Sequence, residues 1–293
     1  MHTNNPVLTR ATAFQQQPAG QPTYQPYSQP YAGQSYAQPQ DPYQPYGQDP
    51  SQAYPQPFVQ APGVMTIDDV LTKLAITMGL LIVSAAVSFY LLGSVVINTG
   101  SLAPLFGVTA VSGLVAFGVV LLVSFRRGVK PAFVLAYSVV EGVFIGAISF
   151  TFELYYPGIV LPAAFGTFVA AGVTLAAYKF LRIKVSSKFR KMVTIGTMAL
   201  AAVYLLNFLL SLVGVHLGIV SVTGSVSGIA ILMSIVGVGL AVFNLILDFD
   251  YIEQGVAMGA PTSESWRGAF GLTVTMVWLY VELLRILSYF ARR

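Results

Sequence analysis

The chain has 293 residues, 55% of them hydrophobic and only 9% charged, with a formal net charge of +4 and a mean hydropathy of +0.71. A water-soluble domain of this length carries about a quarter charged residues, so lipid is the expected solvent for most of the chain. Without cysteine, and with only His2 and His216 as histidines, it can form neither disulfides nor a thiolate or histidine-rich metal site.

Residues 1–63 hold twelve of the seventeen prolines, set among glutamine and tyrosine in an irregular rhythm ("QPYSQPYAGQSYAQPQDPYQPYGQ"). Such a segment has little aliphatic surface to bury and few backbone donors, and is expected to be an extended, disordered tail. It lacks the basic, apolar and small-residue regions of a cleavable signal peptide. Two uses remain open, a tether that self-associates through its tyrosines or a dispensable solvated tail. The second unit, residues 64–293, is expected to be the membrane domain.

"TIDDVLTKLAI" opens the ordered part. Thr66 is placed to cap the amide three residues on, and Asp68 and Asp69 suit the positive end of a helix dipole. Seven apolar segments of spanning length follow, at about 71–97, 104–125, 131–153, 158–180, 191–213, 226–247 and 268–290. The expected fold is an all-α integral membrane protein with seven transmembrane helices. Arg126, Arg127 and Lys130 lie between the second and third segments. Lys179, Arg182, Lys184, Lys188, Arg190 and Lys191 lie around the fourth connection. The connections that alternate with these carry no lysine or arginine, which places the N-terminal tail in the cytoplasm. Parity then leaves Arg292 and Arg293 outside, so a seventh segment that stops short of crossing remains an alternative.

Carboxylates stand where apolar residues are expected. A charge at the bilayer centre costs about 2.5–3.5 kcal/mol unless it is neutralised. Glu141 lies about 15 Å and Glu282 about 21 Å from the inner boundary at 1.5 Å per residue, inside a core about 30 Å thick. Arg285, one turn after Glu282, is placed to pair with it. Gly142 and Gly146 let another helix approach the face of Glu141. Asn207 and Asn244 are polar groups suited to bonds between helices. The sixth segment ends in "LILDFDYIEQG", where Asp248 and Asp250 differ by about 200° around a helix. At most one of them can line a central pathway, and spacing does not choose between them. Glu253 shares the face of Asp250. The carboxylates read either as a proton- and ion-handling set or as structural ion pairs and helix ends.

Three motifs carry a resemblance across about residues 66–291. "LTVTMVWLYVELLRIL" resembles the last-helix pattern L-Y-L-D-F-I-N-L-F-x-x-L-L-R-I-L of the Bax inhibitor family, in its bacterial branch. "LDFDYI" is similar to the end of that family's sixth helix, and "EGVFIG" to its third-helix E-G-x-x-x-G. The resemblance implies a seven-helix fold with a calcium-leak activity sensitive to pH, and a latch of two aspartates sharing a proton. It assigns the first of these to Asp248 and sets the second at Thr275, where threonine cannot ionise. Trp278 replaces the pattern's asparagine, and Glu282 stands where the pattern is uncharged. The expectation is that Glu282 and Glu141 take over proton sharing as one unit, with Arg285 modulating it.

The leading expectation is therefore a cation channel or slow transporter, for calcium, gated by carboxylate protonation. Asp248 and Glu141 would make transient calcium contacts, since oxygen donors suit a hard cation. The alternative is an interaction protein that modulates a membrane protease or another partner without transport. The lipid bilayer is an expected partner and nucleic acid is not. With neither HExxH nor P-loop, and no nucleophile–base pair or resident cofactor in view, no enzyme is expected. The resemblance points to the plasma membrane of a bacterium.

Overall fold

The computed structural model describes residues 63–126, 128–181, 183–215 and 227–291. The expectations for the tail, Arg127, Arg182, His216, Arg292 and Arg293 fall on residues outside that set. Seven helices follow in order: α1 (Ile67–Thr99), α2 (Ala103–Phe125), α3 (Pro131–Tyr155), α4 (Val160–Phe180), α5 (Ser187–Leu212), α6 (Gly228–Ala257) and α7 (Ser263–Ala291). Each is long and apolar enough to cross a bilayer, and the chain is a multi-pass, all-α membrane protein. The largest departure from the expected boundaries is in α6. It continues ten residues past 247, so Asp248, Asp250 and Glu253 are helical rather than part of a loop.

Local chemistry sets the helix ends. Thr66 Oγ1 accepts from the Asp69 amide at 2.9 Å, as its position three residues upstream implies. Ser186 and Ser227 do the same for α5 and α6, each with a 3.1 Å bond to the amide three residues on. Pro131 is tolerated in the first turn of α3 because its missing N–H is not needed there. Gly100 ends α1 with φ 66°, a left-handed conformation that costs other residues energy.

Helix α7 occupies the centre, touching α1, α3, α4 and α6. Within their most apolar stretches, 61% of α7 and 50% of α3 is buried by protein, against 11–28% in the other five helices. α2 lies outside on α3 and α1, and α5 packs along α6 alone at the backbone level. The starts of α1, α3, α5 and α7 share one end of the bundle with the lysine-rich connections, here termed the basic end. There residues 63–65 form an antiparallel strap with the α6–α7 turn. The Met65 amide donates to Ala260 O at 2.7 Å, and the Thr262 amide donates to Gly63 O at 2.9 Å. Met65 itself is fully buried with Val70, Leu245, Ile252 and Leu272. At the far end, Leu284 and Leu287 of α7 pack with Ile159 and Ala163. α7 therefore runs the whole bundle, which does not favour a last segment that stops part-way.

Gly142 and Gly146 set the seam between α1 and α3. A Cβ on Gly142 would come within 2.5 Å of Leu81 O, and one on Gly146 would overlap Ala85 O. That closeness lets Ser84 Oγ donate to Val139 O at 2.8 Å and Ser88 Oγ donate to Val143 O at 2.9 Å. The small-residue pair is thus a packing device. Gly146→Ala is expected to lower stability by about 1–3 kcal/mol through overpacking. Gly118→Ala, on α2 with open space around it, should be neutral or slightly stabilising. Thermal midpoints of the purified variants in detergent check the contrast, and equal effects would contradict it.

Candidate functional site

Two polar centres lie along the face of α7 that meets α6. The deeper one is closed around Glu282, which is fully buried beside Arg285 at 7% exposure. Arg285 Nη1 donates to Glu282 Oε2 at 3.0 Å and to the Tyr204 hydroxyl at 2.9 Å. Tyr204, reaching in from α5, donates to Glu282 Oε1 at 2.9 Å. Trp278 Nε1 adds a fourth contact to Oε1 at 3.2 Å. The Arg285 guanidinium also lies over the Tyr204 ring, 4.9 Å from its centroid. Gly237 on α6 makes this possible, because a Cβ there would sit 2.6 Å from the Glu282 carboxyl carbon. Burying one charge in low dielectric is costly, and here counter-charge and donors surround it.

The second centre is Asp248 with Thr275. Thr275 Oγ1 donates to Asp248 Oδ2 at 2.7 Å. The other oxygen, Oδ1, lies against Gly271, 3.2 Å from where a Cβ would be. Among the described residues Asp248 has no cationic partner. Two turns of α7, about 10 Å, separate Thr275 from Glu282. Leu245, Ala241, Leu272, Met276 and Leu279 fill the α6–α7 interface around and between the two centres. Nothing polar connects them along that interface among the described residues.

Asp250 is held differently from its neighbour. It is 7% exposed and ion-paired to Arg190 Nη2 at 2.6 Å. Gln254 Nε2 donates to the same oxygen at 2.7 Å. The Tyr178 hydroxyl bonds Glu253, and its 3.5 Å approach to Asp250 shows that the two acids share a face. α4, α5 and α6 are thereby tied together at the basic end. Sequence position alone could not supply the reason, since Arg190 read only as one of several cations in a connection.

Glu141 does not join Glu282, which corrects the expectation of one coupled unit. Its hydrogen-bond partner is Tyr137, one turn earlier on α3, and it is 7% exposed. The Tyr137 ring stacks edge-on to Phe270 at 5.0 Å, and Ser149 Oγ is 2.7 Å from the Tyr280 hydroxyl. Interpolating between those contacts puts Glu141 level with about residue 273 of α7, about 13 Å short of Glu282. The faces differ as well. α3 meets α7 at Phe270 and Tyr280, which lie about 120° and 160° around α7 from Glu282. Depth can be counted along a sequence, but the side of a central helix that each neighbour occupies cannot.

The pattern of Asp on the sixth helix, its partner position on the seventh, and the third-helix Glu-Gly pair is now in place. Residues 5–292 match the family model described as Bax inhibitor 1 like. The chain belongs to the Bax inhibitor 1-like family. The match begins at residue 5 and so takes in the Pro/Gln/Tyr tail, which the motif resemblance had left outside the shared part. None of the curated proteins matches the chain. In this family member the two positions that the resemblance pairs, Asp248 and Thr275, are bonded to each other. Trp278, a departure from the family pattern, donates to Glu282, a second departure one turn on. Asn244 bonds Thr197 of α5 at 2.7 Å, the interhelical role its chemistry suggests. The residues missed from the sequence are Tyr204 and Tyr137. Each is an aromatic in an apolar run, where nothing but its hydroxyl marks it as polar.

The Glu282→Gln variant leaves the Arg285 guanidinium buried without a counter-charge, and is expected to destabilise by about 3–5 kcal/mol. Adding Arg285→Gln should recover much of that loss. Glu141→Gln should add to Glu282→Gln independently, because the two share no partner. Denaturant or thermal unfolding in detergent checks all three. Strong non-additivity of the two glutamates would restore the coupled unit.

Proposed function

We propose that the protein is a slow cation leak, for calcium, whose conductance follows the protonation of Asp248 and Glu141. The observation that supports this reading best is the Asp248–Thr275 bond: an acid on the central interface with a neutral hydroxyl as its partner and no base. A carboxylate so placed can release a proton and accept a hard cation through oxygen ligands, with the Thr275 hydroxyl as a further oxygen. Glu141, whose partner is the Tyr137 hydroxyl, is the second acid of this kind. Glu282 is excluded from the role because Arg285, Tyr204 and Trp278 already occupy its oxygens. In this reading the basic end faces the cytoplasm of a bacterial cell, and the apolar side chains between Asp248 and Glu282 hold the pathway shut.

Replacing the family's second aspartate by Thr275 removes one ionisable member of the latch. Gating then follows two acids with separate hydroxyl partners, Asp248 and Glu141, rather than a proton shared between two aspartates. Calcium flux into dye-loaded liposomes, scanned over pH, tests the proposal. Wild-type flux should change with pH, and Asp248→Asn should flatten the profile. Asp250→Asn should cost stability by freeing Arg190 while keeping the profile's shape. Thr275→Asp should add a titration step. Flux equal to that of empty liposomes at every pH would contradict the leak, and would favour the alternative of an interaction protein acting on a membrane protease or another partner.

A further inference from the structure

Three polar contacts fasten α5 to the bundle, beside an apolar seam in which Val193 and Leu200 are buried and Phe189 meets Phe243. Arg190 pairs with Asp250, Thr197 accepts from Asn244, and Tyr204 reaches Glu282 and Arg285. These three residues are seven apart and so lie on one line of the helix. Beside that line, a groove of about 410 Å³ runs along the α5–α6 seam. Met192, Gly196, Ala199 and Val203 line it from α5, and Met233 and Leu240 from α6. Its length follows from the lining. Residues 192–203 span about 16 Å, the thickness of one leaflet's hydrocarbon in a core about 30 Å thick.

The end of the groove nearest the basic connection is charged. Lys188 lies one turn before Met192, on the same side of α5, and is exposed, as are Lys184 and Lys191. Unlike Arg190, Lys188 has no acidic partner among the described residues. A lysine stem can run along an apolar wall while its ammonium stays at headgroup level. An apolar channel one leaflet long, ending in unpaired ammonium groups at the interface, matches one molecule: a phospholipid with a negative headgroup. A neutral lipid would use the groove and leave the lysines idle.

We infer that the α5–α6 groove holds one acyl chain of an anionic phospholipid from the leaflet at the basic end, with Lys188 holding its phosphate. The lipid fills the groove and so adds to the packing of this helix. The site is independent of conduction.

Native mass spectrometry of the purified full-length protein tests it, with phosphatidylglycerol and phosphatidylcholine of identical chains as probes. One phosphatidylglycerol should be retained in preference to phosphatidylcholine, by about fivefold for each lysine engaged. Lys188→Gln should bring the ratio close to one without lowering the thermal midpoint in lipid-free detergent, since its side chain is exposed. Ala199→Trp and Met233→Trp, which fill the groove from opposite walls, should each abolish retention of the tight lipid. Equal retention of the two lipids by the wild type would overturn the proposal. So would a phosphatidylglycerol preference that survives both tryptophan variants, because headgroup attraction without a groove would then explain it. Dimers in place of bound lipid would assign the groove to a second copy and overturn it as well.

Discussion

The Glu282–Arg285 pair is the constraint around which the bundle is organised. Two opposite charges on one face of one helix cannot be left facing hydrocarbon, so that helix has to be the central one. Its position then fixes what its neighbours must supply. α6 presents Gly237, whose missing side chain makes room for the carboxylate. α5 contributes the Tyr204 hydroxyl, which bonds acid and base together. With the Arg190–Asp250 pair and the Asn244–Thr197 bond, the polar triad that neutralises the buried charge also helps fasten this peripheral helix. Replacing the ion pair with apolar residues could be tolerated on energetic grounds, whereas removing one member could not. The pair therefore specifies which helix sits where more than it adds stability.

The acids of the protein separate by what faces them. Glu282 is saturated, Asp250 is paired to a cation near the basic end, and Asp248 and Glu141 are met by hydroxyl groups. A carboxylate with a base beside it has little reason to exchange its proton, whereas one beside a neutral donor keeps that freedom. The strap of residues 63–65 adds a second constraint at the same end. Met65 is packed beneath the α6–α7 interface, between the N-terminal segment and the level of Asp248.

Much of this fold could be read from the sequence because lipid imposes simple rules. Apolar runs of spanning length located all seven helices, and Thr66 announced the start of α1 through its capping geometry. The small-residue spacing of Gly142 and Gly146 indicated a close helix contact, though not that α1 would be the partner. Motif alignment brought Asp248 and Thr275 to equivalent positions, and they are bonded. Pairings that depend on azimuth were out of reach. Glu141 and Glu282 have similar counted depths yet lie on opposite sides of α7. Asp250 could not be matched to Arg190 sixty positions away, because a cation in a basic connection has many equivalent readings.

Protonation of the carboxyl groups themselves is the most direct measurement. Infrared difference spectra of the protein in bilayers, recorded across pH, report the carboxyl C=O stretch of each buried acid that gains or loses a proton. The pH-dependent signal should shrink in Asp248→Asn and in Glu141→Gln. It should persist in the charge-neutral double variant Glu282→Gln with Arg285→Gln. A signal that vanishes in that double variant and is unchanged in Asp248→Asn would contradict the account, because Glu282 would then be the exchanging acid.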